Sequence, residues 1–441
     1  MLIVILFILS LPGVYLGKYL FGRWFNHVTI YTVIWFGLLF FYHLGYIKYY
    51  PLSFETWSYI ILAYLSLIFG TITVFISRTA LKQSSEISLF NSKQFKTEFI
   101  NSAKLKKIII FFSLIGIFSG LQQWYILIKL YGNIPSILLN GSEIYRMRVE
   151  EGIPGVIPYL QSFSYVGLFL SGLYGAKKKS IPLITVLPLF GVIVKELANF
   201  SRAGILLGFV LFLTTYILTK NMIVTNDNIK AKKNKSKNVA IIIVIVILLI
   251  SSAVFIRAFR GTVESFSGSS KELSSLRTNL LISPSLYLYM SAHIGVFNMY
   301  LKVDEEKSEV FGKNTFLPIY NFLAKLNLVK HFKQYHRGYY IPVWTNTGTY
   351  LRELHSDFGI VGIILGPYLL GLFSTILIFV VNSRKNLFYL TLLVFLYVII
   401  IFSFLVLISR LGVFYISLML ILFTIGFLQN KVLFFPSKPF K

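Results

Sequence analysis

The sequence predicts an all-α polytopic membrane protein with about eleven transmembrane helices and one large extracytoplasmic loop that contains short helices. Three observations predict it. The 441 residues are 56% hydrophobic and only 13% charged, against about a quarter charged in an ordinary soluble domain. Apolar runs of twenty or so residues recur along the whole length, each long enough to cross roughly 30 Å of hydrocarbon as a helix. The lysines gather in short connections between those runs, where a membrane protein keeps its cytoplasmic charge. Continuous runs also speak against a β-barrel, whose strands alternate over about ten residues. The net charge of +26 invites a nucleic-acid reading, but its confinement to inter-span loops sets that aside and no nucleic-acid partner is expected. There is no cysteine, which excludes disulfides and thiolate metal sites.

In chain order the runs fall at about 2–17, 28–47, 57–77, 108–128, 156–175, 181–195, 203–219, 239–256, 358–382, 386–408 and 411–428. The first lacks a positive n-region and a small-residue cleavage site, so it reads as a retained span rather than a signal peptide. If every run crosses once, the lysine-rich connections 78–107, 177–180 and 220–238, Arg384-Lys385 and the tail from Lys431 all face one side. This puts the C-terminus in the cytoplasm and the N-terminus outside, in a multi-pass protein. The chain divides into 1–256 (spans one to eight with short loops), 257–357 (the large outer loop) and 358–441 (three spans and a cytoplasmic tail).

The two basic residue types separate. Nine of the twelve arginines fall outside or at outer span ends, whereas twenty of the thirty lysines fall inside. Guanidinium binds phosphate oxygens through a bidentate fork, while ammonium is a point charge. Outer arginines can also pair with outer acids such as Glu143, Glu150, Glu151 and Glu353, and for any single arginine that is an equal alternative. Four separate outer loops nevertheless each present an arginine near a membrane boundary, and bundle topology would bring them to one face. Within the large loop, 316–332 carries Ile319, Phe322, Leu323, Leu326 and Val329 on one helical face, as an amphipathic surface helix or a packed loop helix would. The apolar stretch 285–301 is expected to be re-entrant or interfacial, because a crossing there would break the agreement of the lysine loops downstream.

For the chemistry, a transporter would place acids or broken helices at mid-membrane, and no Asp or Glu lies in the middle of a run. The acidic cluster Asp304, Glu305, Glu306 and Glu309 reads as a solvated turn, and no histidine pair has helical metal-ligand spacing. No metal and no cofactor are therefore expected. What remains is arginine, histidine and aromatic residues at an outer face. Such a set can hold the diphosphate of a polyprenyl-linked sugar and stabilise the charge that develops as it leaves. His336, His355, Glu353 and Asp357 are candidate bases for an attacking hydroxyl, although a lone histidine is more often a structural hydrogen-bonder. Tyr339, Tyr340 and Trp344 could stack on sugar rings or belong to an interfacial aromatic belt.

FSRAGIL (200–206) at the outer start of one span, and NTGTYLRELHSDFGIVGIILG (346–366) leading into another, resemble the oligosaccharide repeat-unit polymerases, the O-antigen or Wzy-type family. The Asp357-Phe358-Gly359 turn before a glycine-rich span carries the resemblance, with the layout of spans and one long late loop. Arg257…Gly268 and Arg337…Gly348 fit the Arg-x10-Gly spacing described in some members, although here both fall in one loop rather than two. The resemblance implies a GT-C-like, metal-independent, inverting glycosyltransferase. It would move a growing polyprenyl-diphosphate-linked glycan onto a fresh lipid-linked repeat unit of O-antigen or a related surface polysaccharide. On that reading Arg146, Arg148, Arg202, Arg257, Arg260, Arg337 and Arg410 are candidate diphosphate or glycan ligands. Arg352, with Glu353 and Asp357, would order the loop at the mouth of its span.

An O-antigen ligase shares this scaffold, a lipid-linked oligosaccharide flippase is a second alternative, and an assembly partner without chemistry is a third. Expected partners are the lipid-linked substrate, membrane lipid, and a chain-length regulator and flippase.

Overall fold

The computed structural model describes residues 2–80, 102–150, 152–222, 284–303, 310–330 and 337–428, with Phe332 and a few positions between 251 and 259. The chain is all-α. Fourteen α-helices lie among the described residues, and the strand content is one two-residue hairpin, β1 (Tyr339–Tyr340) against β2 (Trp344–Thr345). Among the described residues, five helices are long and apolar enough to cross a membrane: α1 (Leu2–Phe21), α3 (Phe54–Ala80), α4 (Ser102–Tyr131), α9 (Ala203–Met222) and α12 (Tyr350–Arg384). Three shorter apolar helices join them: α2 (His27–His43), α13 (Leu387–Phe402) and α14 (Gly412–Leu428). Their outward faces carry exposed Phe69, Phe118, Phe373 and Phe423, a surface suited to lipid rather than water.

Two cores form. One gathers α1, α2, α3, α10 (Pro284–Val303) and the start of α12. The other gathers α4, α7 (Ser162–Lys178), α8 (Leu187–Ala198), α9, α13 and α14. Without a hydrophobic force between helices in lipid, close packing needs small residues at the contact. The α3–α12 contact shows this twice. A Cβ on Gly70 would stand 2.1 Å from the Tyr368 carbonyl oxygen, and one on Gly371 would stand 2.1 Å from that of Leu67. Beside them His27 Nε2 bonds to Thr71 Oγ1 (2.9 Å) and Thr375 Oγ1 (3.2 Å), stitching α2, α3 and α12 together.

Two of the expected runs are interrupted in the structure. The run 181–195 becomes a 3-10 turn (Leu183–Thr185) and a twelve-residue α8, about 18 Å long at 1.5 Å per residue. The run 386–408 ends as helix at Phe402, and 403–411 turns back through a 3-10 segment, Ile408–Arg410. The run 239–256 lies almost wholly outside the described residues. Stretch 285–301 is one helix, α10, that is not among the five long apolar ones. It packs on one end of α2 and the α2–α3 connection: Tyr287 Oη donates to Phe41 O, Ser291 meets Tyr49, and Asn298 Oδ1 accepts from Ser53 N and Thr56 Oγ1 (both 2.8 Å).

Helix α12 is two helices. Gly359 has φ +59° and ψ −145°, a mirror-β conformation that glycine alone enters without strain. The nine residues Tyr350–Phe358 precede it as a half-helix. This half-helix folds back along the span that follows, since Cβ atoms on Gly362 and Gly366 would touch Leu354 at 2.3 and 2.6 Å. Its first residue reaches the interior of the bundle. There Tyr350 N–H donates to Ser403 O (3.0 Å) and Tyr350 Oη bonds to Tyr31 Oη (2.8 Å).

At one end of the bundle, basic residues sit on rings or beside one another. Arg78 lies over Phe379 (3.9 Å) and Lys104 over Phe427 (4.5 Å). Burial lowers the pKa of both Arg23 and Lys385, and the Arg23 charge lowers that of Lys385 further. At the other end the connections α4–α7, α8–α9, α10–α12 and α13–α14 meet around a cavity.

Candidate functional site

The cavity lies between the two cores and holds about 970 Å³ of empty space, mouth included. Four arginines line it: Arg148 from α6 (Gly141–Glu150), Arg202 from the α8–α9 turn, Arg352 from the half-helix and Arg410 from the α13–α14 turn. They are far apart in sequence, and the topology alone brings them together.

Each guanidinium is held in place. Arg410 Nη1 donates to Glu353 Oε1, and the other carboxylate oxygen accepts the Leu407 N–H; both charged side chains are buried. Arg352, 1% exposed, donates Nη2 to the Arg337 carbonyl (2.9 Å) and lies over the rings of Tyr339 (5.1 Å) and Tyr300 (5.6 Å). Arg202 lies over Tyr289 (6.0 Å) and Arg148 over Tyr145 (5.2 Å). Both tyrosines line the cavity as well. Aromatic rings fix the planes of the guanidiniums. Four arginines and one carboxylate, Glu353, thus line the cavity.

Comparisons with protein-family models, curated proteins and solved structures find no match.

The other expected residues are placed as follows. Arg146 is exposed on α6, away from the cavity lining. Arg337 is exposed and contributes its carbonyl to Arg352. Tyr339 is buried under Arg352, and Trp344 is half exposed beside it on the hairpin, where it packs on Gly338. His355 is buried one turn along the half-helix; its Nδ1 bonds to Tyr300 Oη (3.0 Å) and its ring meets Tyr59. Asp357, at the far end of the half-helix, accepts four hydrogen bonds, from N and Nδ2 of Asn314 and from N and Oγ1 of Thr315 (2.7–2.9 Å). It ties the half-helix to the segment leading into α11 (Leu317–Lys325). Arg257, Arg260, His336 and the cluster at 304–309 lie outside the described residues. On α11 and just after it, Ile319, Phe322 and Leu326 stay exposed, and the helix stops at Leu326 because Asn327 turns left-handed (φ +58°).

Sequence reasoning missed Tyr145, Tyr289 and the Asn346–Thr349 lining. The last had a signal: four small or polar residues directly before an amphipathic run, the pattern of a helix start. The two tyrosines had none, because their partners are distant in sequence.

Proposed function

We propose that this chain polymerises lipid-linked oligosaccharide repeat units. It would do so as an eleven-span, GT-C-like membrane protein whose cavity opens at the outer face of the bacterial inner membrane. The observation that carries the reading is the convergence of Arg148, Arg202, Arg352 and Arg410 on one cavity at one end of an apolar helical bundle. A diphosphate leaving group needs little more than fixed positive charge where its own charge develops. In the transfer, the acceptor hydroxyl oxygen bonds to the anomeric carbon as the carbon–oxygen bond to diphosphate breaks. The electron pair leaves with the diphosphate, which the guanidiniums hold, and the hydroxyl proton passes to a base or to water. Glu353 serves this chemistry by orienting Arg410, and the tyrosines under Arg148 and Arg202 offer faces for sugar rings.

The test is the fate of lipid-linked glycan in a strain lacking the chain, resolved by size and membrane side. Single repeat units on the outer leaflet, transferred to their final acceptor but never extended, are the expected result. Long polymer stranded on polyprenyl diphosphate would make the chain a ligase, and repeat units trapped on the inner leaflet a flippase. An unchanged ladder would overturn the reading.

A further inference from the structure

We propose that the start of the half-helix Tyr350–Phe358 is a phosphoryl-binding subsite of the cavity, with the Thr349 hydroxyl as one of its ligands. The inference rests on the cavity's being an anion site, and it says where in the cavity the phosphoryl group sits.

Two independent observations meet at Thr349. The first is the helix start itself. Gly359 breaks α12, so Tyr350–Phe358 is a separate helix with its own N-terminus, and that N-terminus lies within the bundle beside the cavity. The helix dipole makes such an end favourable for an anion, and more so away from bulk water. The second is the N-cap side chain. Thr349 has the extended backbone of an N-cap (φ −83°, ψ 164°) but makes no side-chain capping bond. It lines the cavity, is 1% exposed, and its Oγ1 has no hydrogen-bond partner among the described residues. A buried hydroxyl left in this way costs stability, and a ligand oxygen in the cavity removes the cost.

The surroundings fix this end firmly. Tyr350 N–H is held by Ser403 O, and Arg352 N–H by Thr349 O. The His293 ring sits between two carbonyls, with Nδ1 3.1 Å from Thr347 O and Nε2 2.8 Å from Tyr289 O, which holds the stretch that enters the helix. Gly348 lets Arg352 lie against the backbone, since a Cβ there would stand 2.9 Å from Arg352 Cδ. Thr349 thus shares the cavity lining with Arg352 and Arg410. A phosphate monoester or diphosphate matches its chemistry: several acceptor oxygens, net negative charge and no donors.

The experiment compares the full-length protein in detergent with Thr349→Val, which keeps shape and removes the hydroxyl, and Thr349→Ser, which keeps the hydroxyl. Inorganic pyrophosphate and a short-chain polyprenyl diphosphate are the probes, read by affinity and by ligand-induced shift of the melting temperature. Without ligand, Thr349→Val is expected to melt at or above the wild-type temperature, because a buried unsatisfied group is gone. Its affinity is expected to fall about tenfold or more, as for loss of a hydrogen bond to a charged group, with Thr349→Ser close to wild type. Binding of both probes places recognition in the phosphoryl group alone; binding of the lipid only makes the lipid headgroup its source. Either supports the subsite when Thr349→Val weakens it. Equal affinity of wild type and Thr349→Val would overturn the subsite and leave the arginine cavity standing, as would a drop in unliganded stability with unchanged affinity. Wild-type protein that binds neither probe would overturn it as well. A Thr349-dependent affinity in a chain whose loss leaves the glycan ladder unchanged would keep the subsite and remove the polymerase reading.

Discussion

Arg410 and Glu353 form a buried ion pair that joins the α13–α14 turn to the half-helix, and the second Glu353 oxygen holds the Leu407 N–H. Both groups lie in the cavity lining, so one contact sets fold and site together. Removing one partner of a buried pair strands a charge and costs about 3–5 kcal/mol. Arg410→Ala is therefore expected to lower the melting temperature of the purified protein strongly. Glu353→Gln strands the Arg410 charge, although it keeps an acceptor for one donor, and is expected to lower the melting temperature as well. A melting temperature unchanged in both variants would contradict the contact.

Arg202 tests fixed geometry against mere charge. It lies over Tyr289 and lines the cavity without belonging to the Arg410–Glu353 pair. If it grips a phosphoryl group bidentately, lysine cannot replace it. Arg202→Ala is expected to lower turnover about a hundredfold, the loss typical of one oxyanion donor. Arg202→Lys should fall within a fewfold of alanine, and wild-type turnover in the lysine variant would show that charge alone suffices.

Gly359 sets the direction of the half-helix. Nothing lies within 4 Å of a Cβ built there, so a side chain has room and only the backbone objects. At φ +59° and ψ −145° that objection is worth about 1–3 kcal/mol. Gly359→Ala should destabilise by that amount and lower diphosphate affinity at the same time, because the half-helix start moves with the turn. A melting curve and a binding isotherm on one sample check both.

Asp357 is expected to act as an anchor. Its four bonds go to Asn314 and Thr315, so Asp357→Ala should raise hydrogen exchange across 310–325 while changing exchange in α3 and α9 little. The net cost is of order 2–4 kcal/mol at about 1 kcal/mol per bond. Unchanged exchange in 310–325 would remove the anchoring role.

The long apolar helices were legible in the sequence, because a span must be apolar on every side that meets lipid. The arginine asymmetry pointed to the face where Arg148, Arg202, Arg352 and Arg410 gather, since loops at one end of a bundle are forced together. The break inside α12 was half legible. The Asp357-Phe358-Gly359 turn placed the start of the span at 358, but Tyr350–Phe358 read as loop because its polar face is buried on other helices. The shortness of α8 was hidden for a related reason: the run 181–195 has span-like composition, and only the 3-10 turn at Leu183–Thr185 divides it. The unused hydroxyl of Thr349 was not legible at all, because a partner's absence is a property of the fold.

The most direct test of the account is turnover of a purified, reconstituted chain supplied with a polyprenyl-diphosphate-linked repeat unit. The account predicts a ladder of lengthening glycans with one polyprenyl diphosphate released per unit added, lost together in Arg202→Ala. No released diphosphate and no lengthening under conditions where the wild-type protein is folded would contradict it.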